Sequence, residues 1–351
     1  MHRGAWWATV HGAAESDTTE RLHFHFQKKD LKWLIPLTLL LLCLPLLVPS
    51  AVAEELPDWL KEADLPVYEP VELENPDAEP LPLGDKAVYK PRADGFLPDN
   101  AGYLDSTLSV RIESRVIKDT RMQFTWIRIA DPSQMRCAPY RSFTSDSRAK
   151  ATMISRKVQG AVVAINGDWP ASKEKRKHGL VVRNGDLIRK KDCERYDSLI
   201  IDMAGDFHII RHAAEADYAA YEGNILHSFV FGPALVIDGE KVTVDRKKKM
   251  EDAMIRHCEG WHGAQRNVLC QMGPLSYLII TSEGPEQKKG TGLSIDEMSW
   301  LTYAIGAKQA FNLDGGSSTW LVLNDERINT MKTKNFRIVQ DILYFATAEP
   351  S

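Results

Sequence analysis

Apolar and polar residues alternate with a period of two over most of the chain beyond Tyr103, which predicts a strand-rich domain. Leu108 to Ile117 and Met122 to Ala130 both alternate and are separated by Lys118-Asp119-Thr120-Arg121, the pattern of a hairpin. A more polar stretch follows, with a helix expected around Ser147 to Gln159. The continuous apolar run AVVAIN between Gly160 and Gly167 predicts a buried strand. Asn184-Gly185, Ala204-Gly205-Asp206 and Asp238-Gly239 each sit between apolar runs and predict hairpin turns. Leu275 to Glu283 is a further strand. Helical spacing appears at Ile295, Met298, Leu301 and Ile305, introduced by a capping box of Ser294 and Glu297 and closed by Gly306. That helix delivers the chain to AFNLDGGSSTWLVLN, Ala310 to Asn324, which reads as strand, tight turn, strand. The expected fold is α+β: one strand-rich mixed domain over residues 101–348, packed by a few helices.

The first hundred residues have a different texture. Residues 28–53 carry a basic start (Lys28, Lys29, Lys32), an apolar core and Ala51-Val52-Ala53, a small-x-small cleavage pattern. This predicts an export signal, with the mature chain beginning at Glu54 and acting in a secreted, periplasmic or cell-surface location. The apolar run is short for a spanning helix and is interrupted by Pro36 and Pro45, so cleavage is expected over retention as an anchor. Residues 1–27 resemble a translated interspersed repeat and are expected to have no part in the fold. Residues 54–100 are acidic and proline-rich with few periodic apolar positions, which predicts a spacer, although Pro57 to Leu60 has the character of a local docking segment.

Composition changes this picture little. The 351 residues are 44% hydrophobic and 26% charged with a net charge of −4, ordinary for a globular protein and without the basic footprint of a nucleic-acid binder. Four cysteines lie beyond the export signal: Cys137, Cys193, Cys258 and Cys270. An even number in an exported chain permits two disulfides, and Cys258–Cys270 would clip the loop between them. There is no Cys-x-x-Cys pair, and neither a metal nor another cofactor is expected.

Chemistry gathers at the turn. Gly315 and Gly316 permit close backbone approach, Asn312 and Asp314 share a face if the strand continues regularly, and Ser317, Ser318 and Thr319 add hydroxyls. Such a set suits a sugar or a phosphate. It also suits a plain Gly-Ser hairpin whose Asp314 satisfies turn N–H groups. A second candidate is Asn166-Gly167-Asp168-Trp169, which closes the buried strand with two polar ligands and an aromatic platform; Asn-Gly is equally an ordinary turn signal.

Asn312 to Thr319, NLDGGSST, resembles the signature of the phosphodiester glycosidase family. Further elements resemble that family in the same order between about Gly160 and Phe345. They are the Asn166-Gly167 strand end, the Gly179 to Asp186 hairpin, Phe231 to Gly239, Arg266-Asn267 where the family has Arg-Thr, and the closing strand from Arg337. The resemblance implies a hydrolase that cleaves a sugar-1-phosphodiester, of the α-N-acetylglucosaminyl kind, to sugar and phosphomonoester. It implies catalytic carboxylates among Asp314, Asp168 and Glu283. Arg266 would meet the phosphate as a bidentate fork. Asn166, Gly167, Trp169, Asn312, Gly315, Gly316, Ser317 and Ser318 would bind substrate. Two other classes stay open on the residues alone: a non-catalytic binder of extracellular glycan, supported by Trp169, Trp261 and the Asn267 departure, and a metal-dependent phosphoesterase. The expected partner is thus a sugar phosphodiester or an extracellular glycan, and membrane contact is expected only through the export signal.

Overall fold

The computed structural model describes residues 55–168, 179–191, 196–243, 264–283, 292–330 and 336–350. The expected export signal, Trp169, Cys193, Cys258 and Trp261 lie outside the described residues. Two large sheets face one another. The first has nine strands in the order Phe96–Leu97, Gly102–Leu104, Leu108–Ile117, Thr120–Ile129, Ser276–Glu283, Asn267–Gly273, Gln309–Asn312, Ala234–Ile237 and Glu240–Lys241. The second has five: Glu326–Arg327, Leu321–Leu323, Val163–Asn166, Asp341–Phe345 and Met135–Pro139. Every described pairing is antiparallel. A three-stranded sheet (Phe207–Ile210, Asp197–Asp202, Ile225–Phe231) and the hairpin Val181–Arg183 with Asp186–Arg189 complete the architecture.

The period of two explains the packing. Val110, Ile127, Leu269, Ile279 and Phe311 of the first sheet meet Val163, Ile165, Leu321, Leu343 and Phe345 of the second in one buried core. The alternate residues face outward and are covered by helices. Ile295, Met298 and Leu301 of helix Ile295–Ala304 pack on Val268, Leu278 and Ile280. Ala151, Ile154 and Val158 of helix Ala151–Val158 pack on Ala164, Ile342 and Tyr344. The Ser294–Glu297 capping box forms as the sequence predicts. Asn184-Gly185 turns with φ of 52° and 84°, the left-handed pair that a tight hairpin requires.

Three expectations need correcting. The segment Ala310 to Asn324 is no hairpin: Gln309–Asn312 belongs to the nine-stranded sheet and Leu321–Leu323 to the five-stranded one. Its turn therefore crosses from one sheet to the other. Residues 56–100 hold little regular structure, yet they lie on the domain rather than apart from it, with Leu60, Leu73 and Leu81 buried. Leu60 enters the outer apolar cluster beside Met122 and Trp126, and Tyr68 stacks on Trp126 at 5.6 Å between centroids. Ordering a few buried anchor points suffices where composition argued against a core. Cys137 and Cys270 are buried free thiols, so the expected clip from Cys258 to Cys270 is not formed. Among the described residues, no helix is long and apolar enough to cross a membrane.

Candidate active site

Strand ends meet at one end of the two facing sheets. Asn166 closes its strand opposite Ile342, just past the Asp341 start of the neighbouring strand, while Asn267 begins a strand opposite Thr281 and Asn312 ends one opposite Val268. The crossing turn, Leu313 to Trp320, lies over this end. It is held by backbone bonds to the strand beneath: Leu313 N–H to Asn267 O at 2.8 Å and Gly316 N–H to Gln265 O at 2.8 Å. Gly315 is required by space, since a Cβ there would overlap the Gln265 carbonyl oxygen, and Gly316 by its φ of 58°.

Asp314 is buried in this turn. Its Oδ2 faces Arg337 Nη1 at 3.4 Å, and the same guanidinium nitrogen donates to Ser318 Oγ at 3.1 Å. Burial raises the Asp314 carboxyl to about 6, against the opposing pull of Ser318, Arg337 and the Gly315 N–H. Asp314 is 6% exposed, whereas the Arg337 side chain is 44% exposed and can reach a ligand. Arg337 was visible in the sequence only as the first residue of the closing strand; its pairing with a residue 23 positions earlier carries no local signal.

Behind the turn lies a buried polar lattice. Asn166 Nδ2 donates to the Asp314 carbonyl oxygen at 2.9 Å, while Asn166 Oδ1 accepts from Asn267 Nδ2 at 2.6 Å and from Trp320 N–H at 3.2 Å. Asn267 also donates to Trp320 O at 2.9 Å and accepts from the Thr281 hydroxyl at 2.7 Å. Asn166, expected to touch substrate, thus has its amide engaged in holding the turn. Asn312 spends its Nδ2 on Gly232 O at 2.8 Å, leaving its buried Oδ1 with no hydrogen-bond partner.

Asp168 stands on the other side of Gly167. Its Oδ2 accepts from Arg183 Nη2 at 3.1 Å, and its N–H donates to Asp341 Oδ1 at 3.1 Å. Arg183 is buried and divides its donors among Asp341 Oδ2 at 3.0 Å, Asp168, and the carbonyls of Val182 and Ser228. Gly167 is needed here because a Cβ would come within 2.5 Å of Asp341 Oδ1. These residues line a cavity of about 310 Å³ together with Phe143, Thr144, Asp146, Val181, Ile188, Arg189 and Gln340. The segment Val230 to Gly232 links the two halves, touching Asp168 through Val230 N–H at 3.4 Å and Asn312 through Gly232 O.

The remaining candidates sit differently. Arg266 is buried, with its Nε donating to Leu293 O at 2.9 Å, so the exposed cation beside Asp314 is Arg337 instead. Glu283 is buried and binds Thr330 through its N–H at 3.0 Å and its hydroxyl, with Gln123 at 3.2 Å. Its described bonds tie two loops and do not reach Asp314 or Asp168. Ser317 accepts the Arg337 N–H on its carbonyl at 2.9 Å, fixing the closing strand to the turn. Among the described residues, no group of three or more His, Cys, Asp or Glu side chains is arranged to hold a metal ion.

The phosphodiester glycosidase family model matches residues 159–346, which contain Asn166, Asp168, Arg183, Asn267, Asp314, Arg337 and Asp341. An uncharacterized SPbeta prophage-derived protein of Bacillus subtilis, YomE, is 25% identical over 210 residues, covering 58% of this chain and 31% of that protein. The chain therefore spans less than a third of that relative's length. The catalytic domain of zebrafish N-acetylglucosamine-1-phosphodiester α-N-acetylglucosaminidase, in a form auto-inhibited by its pro-peptide, superimposes with a TM-score of 0.55 at 14% identity. That match covers 75% of this chain and 87% of the zebrafish one. A hypothetical protein from Synechocystis gives a TM-score of 0.48 at 14% identity, covering 69% of this chain and 62% of that one.

Proposed function

Since this chain belongs to the phosphodiester glycosidase family, we propose that it hydrolyses a sugar-1-phosphodiester to free sugar and a phosphomonoester, outside the cytoplasm after export. The observation that carries this reading is the buried Asp314 carboxyl facing the partly exposed Arg337 guanidinium at the Gly315–Ser318 turn. Arg337 supplies the positive charge a phosphate leaving group needs, and the Ser318 hydroxyl beside it adds a polar contact. A phosphate departs without being protonated, so the demand for a general acid is small. Asp314 then serves as base, taking a proton from the water that attacks the anomeric carbon as the C1–O bond breaks. A carboxyl raised to about 6 suits this role near neutral pH. Asp168, ion-paired with Arg183, supplies the second carboxylate that stabilises developing positive charge on the sugar ring.

The test is turnover of a panel of sugar-1-phosphodiesters, N-acetylglucosamine-1-phosphodiesters among them, by the native chain and by Asp314→Asn. Hydrolysis by the native protein should fall by about 10²–10⁴-fold in the variant, the range for loss of an acid–base group. Normal turnover by Asp314→Asn would remove the assignment.

A further inference from the structure

Charge is spread unevenly over the chain. Residues 141–157 carry five cations, Arg141, Arg148, Lys150, Arg156 and Lys157, and one carboxylate, Asp146, in a chain of net charge −4. The fold gathers these cations on one outer face. Ala151, Ile154, Ser155 and Val158 of helix Ala151–Val158 are buried towards the five-stranded sheet, which leaves Lys150, Met153, Arg156 and Lys157 exposed on the far side. Lys157 Nζ donates to Tyr140 O at 2.7 Å, fixing the helix beside the loop that begins at the exposed Arg141. Among the described residues, Arg141, Lys150, Arg156 and Lys157 form no ion pair with a carboxylate. Asp325 does reach the helix, but there it accepts the buried Ser155 hydroxyl at 2.5 Å.

The face runs up to the candidate active site. Ala149 N–H donates to Val339 O at 2.9 Å, and Val339 N–H donates to Ala149 O at 2.7 Å. This antiparallel bridge sets Lys150 beside Ile338, the residue after Arg337. From Lys150 to Lys157 the helix carries positive charge on over ~10 Å, at about 1.5 Å per residue. A single phosphate does not span cations so far apart, whereas a chain of phosphates engages them together. A bilayer fits less well. A helix lying in a membrane interface presents a broad apolar face, and Ala151, Ile154 and Val158 of this one are buried in the protein.

We propose that this face binds the anionic remainder of the substrate, a polymer of repeated phosphate groups to which the scissile sugar-1-phosphodiester belongs. The proposal rests on the hydrolysis of a sugar-1-phosphodiester with its phosphate held at Arg337. It makes a polyanionic polymer, rather than an isolated diester, the preferred substrate.

The probe is long-chain inorganic polyphosphate carrying a terminal fluorophore, followed by anisotropy on the full chain, with orthophosphate as competitor. The native chain should bind it at low salt and release it at about 0.5 M salt, where exposed charges are screened. Orthophosphate should compete about a hundredfold less well, because it engages one cation at a time. Lys150→Gln, Arg156→Gln and Lys157→Gln together remove three charges and keep helix propensity, and thermal unfolding verifies the fold. Polyphosphate binding should weaken about tenfold or more in this triple variant. Arg141→Gln with Lys150→Gln, which leaves the helix interior untouched, should weaken it as well. Lys308→Gln, at an exposed cation beside strand Gln309–Asn312 of the other sheet, should leave binding unchanged. Polyphosphate should also inhibit hydrolysis of a small sugar-1-phosphodiester by the native chain, and inhibit the triple variant less. No binding, equal binding by the native chain and the triple variant, or binding only to vesicles of phosphatidylglycerol and phosphatidylcholine would overturn the proposal. Binding without inhibition would set the face apart from the substrate and overturn it too. Binding that obeys these rules in a chain without turnover would leave the polyanion surface standing and remove only the proposed reaction.

Discussion

The side-chain amide of Asn267 donates to Oδ1 of Asn166 across 2.6 Å, joining the two large sheets at the end where Asp314 sits. Both residues are fully buried, and Asn267 further binds Trp320 O and the Thr281 hydroxyl. Asn267→Ala leaves these groups without partners in a dry site. A loss of about 1–3 kcal/mol in urea unfolding is expected, with reduced turnover as the turn loosens. Unchanged stability would mean that the lattice does not hold the turn.

Asp314 gives a signed pH dependence. Its folded value is raised to about 6, so it binds its proton more tightly folded than unfolded. The stability it contributes is complete below its unfolded value, ~3.9, and is lost as pH rises through about 6, a change of roughly 3 kcal/mol. Asp314→Asn should flatten that part of the stability profile and be at least as stable as the native chain at pH 7. In the native enzyme, kcat/KM should rise with pH through about 6. A rate that instead falls over this range would make Asp314 the acid rather than the base.

His227 works in the opposite direction. Its Nδ1 accepts from Asn184 N–H at 3.2 Å and its Nε2 donates to Met135 O at 2.9 Å, while burial lowers it to about 3. Its contribution is complete above the ordinary histidine value, ~6.5, and is lost as pH falls towards about 3. Imidazole ¹⁵N shifts should report a neutral Nε2–H tautomer for His227 at pH 5. A charged ring at that pH contradicts the packing described.

Arg183 neutralises two carboxylates inside the fold, Asp341 and Asp168. Arg183→Met keeps the bulk and removes the charge, taking from both aspartates the guanidinium that neutralises them. The expected loss is about 3–5 kcal/mol, the cost of stranding a buried charge. Chemical denaturation at neutral pH measures it; a change under 1 kcal/mol would show that water already solvates these carboxylates.

Leu60 tests the docking of the segment before the first strand. It is 2% exposed against Met122 and Trp126, while Leu83 is 47% exposed. Leu60→Ala should destabilise the domain by about 2–5 kcal/mol, whereas Leu83→Ala should change little. Equal, small effects would restore the spacer reading.

The strands and caps were legible because they depend on neighbours in sequence. Alternation marked Leu108–Ile117 and Thr120–Ile129, and the Ser294–Glu297 reciprocity marked a helix start. The Asp314 turn was legible as a candidate site because its glycines and hydroxyls are consecutive. Its path between two sheets was not, since alternation tells which residues are buried and not which strand they pair with. Arg183 and Asp341 lie 158 positions apart, and nothing local announces that one neutralises the other. The same blindness favoured Arg266, where a cation follows a family motif, over Arg337, which the fold brings to the turn. Pro57 to Leu60 stood out as a docking segment, but the burial of Leu73 and Leu81 did not, because composition averages over the prolines and acids around them.

The most direct measurement is hydrolysis of a sugar-1-phosphodiester in oxygen-18 water, with mass spectrometry of both products. Attack at the anomeric carbon, with Asp314 drawing the proton from water and Arg337 receiving the phosphate, places the label in the released sugar. Label in the phosphate would mean cleavage of the P–O bond and would contradict the account.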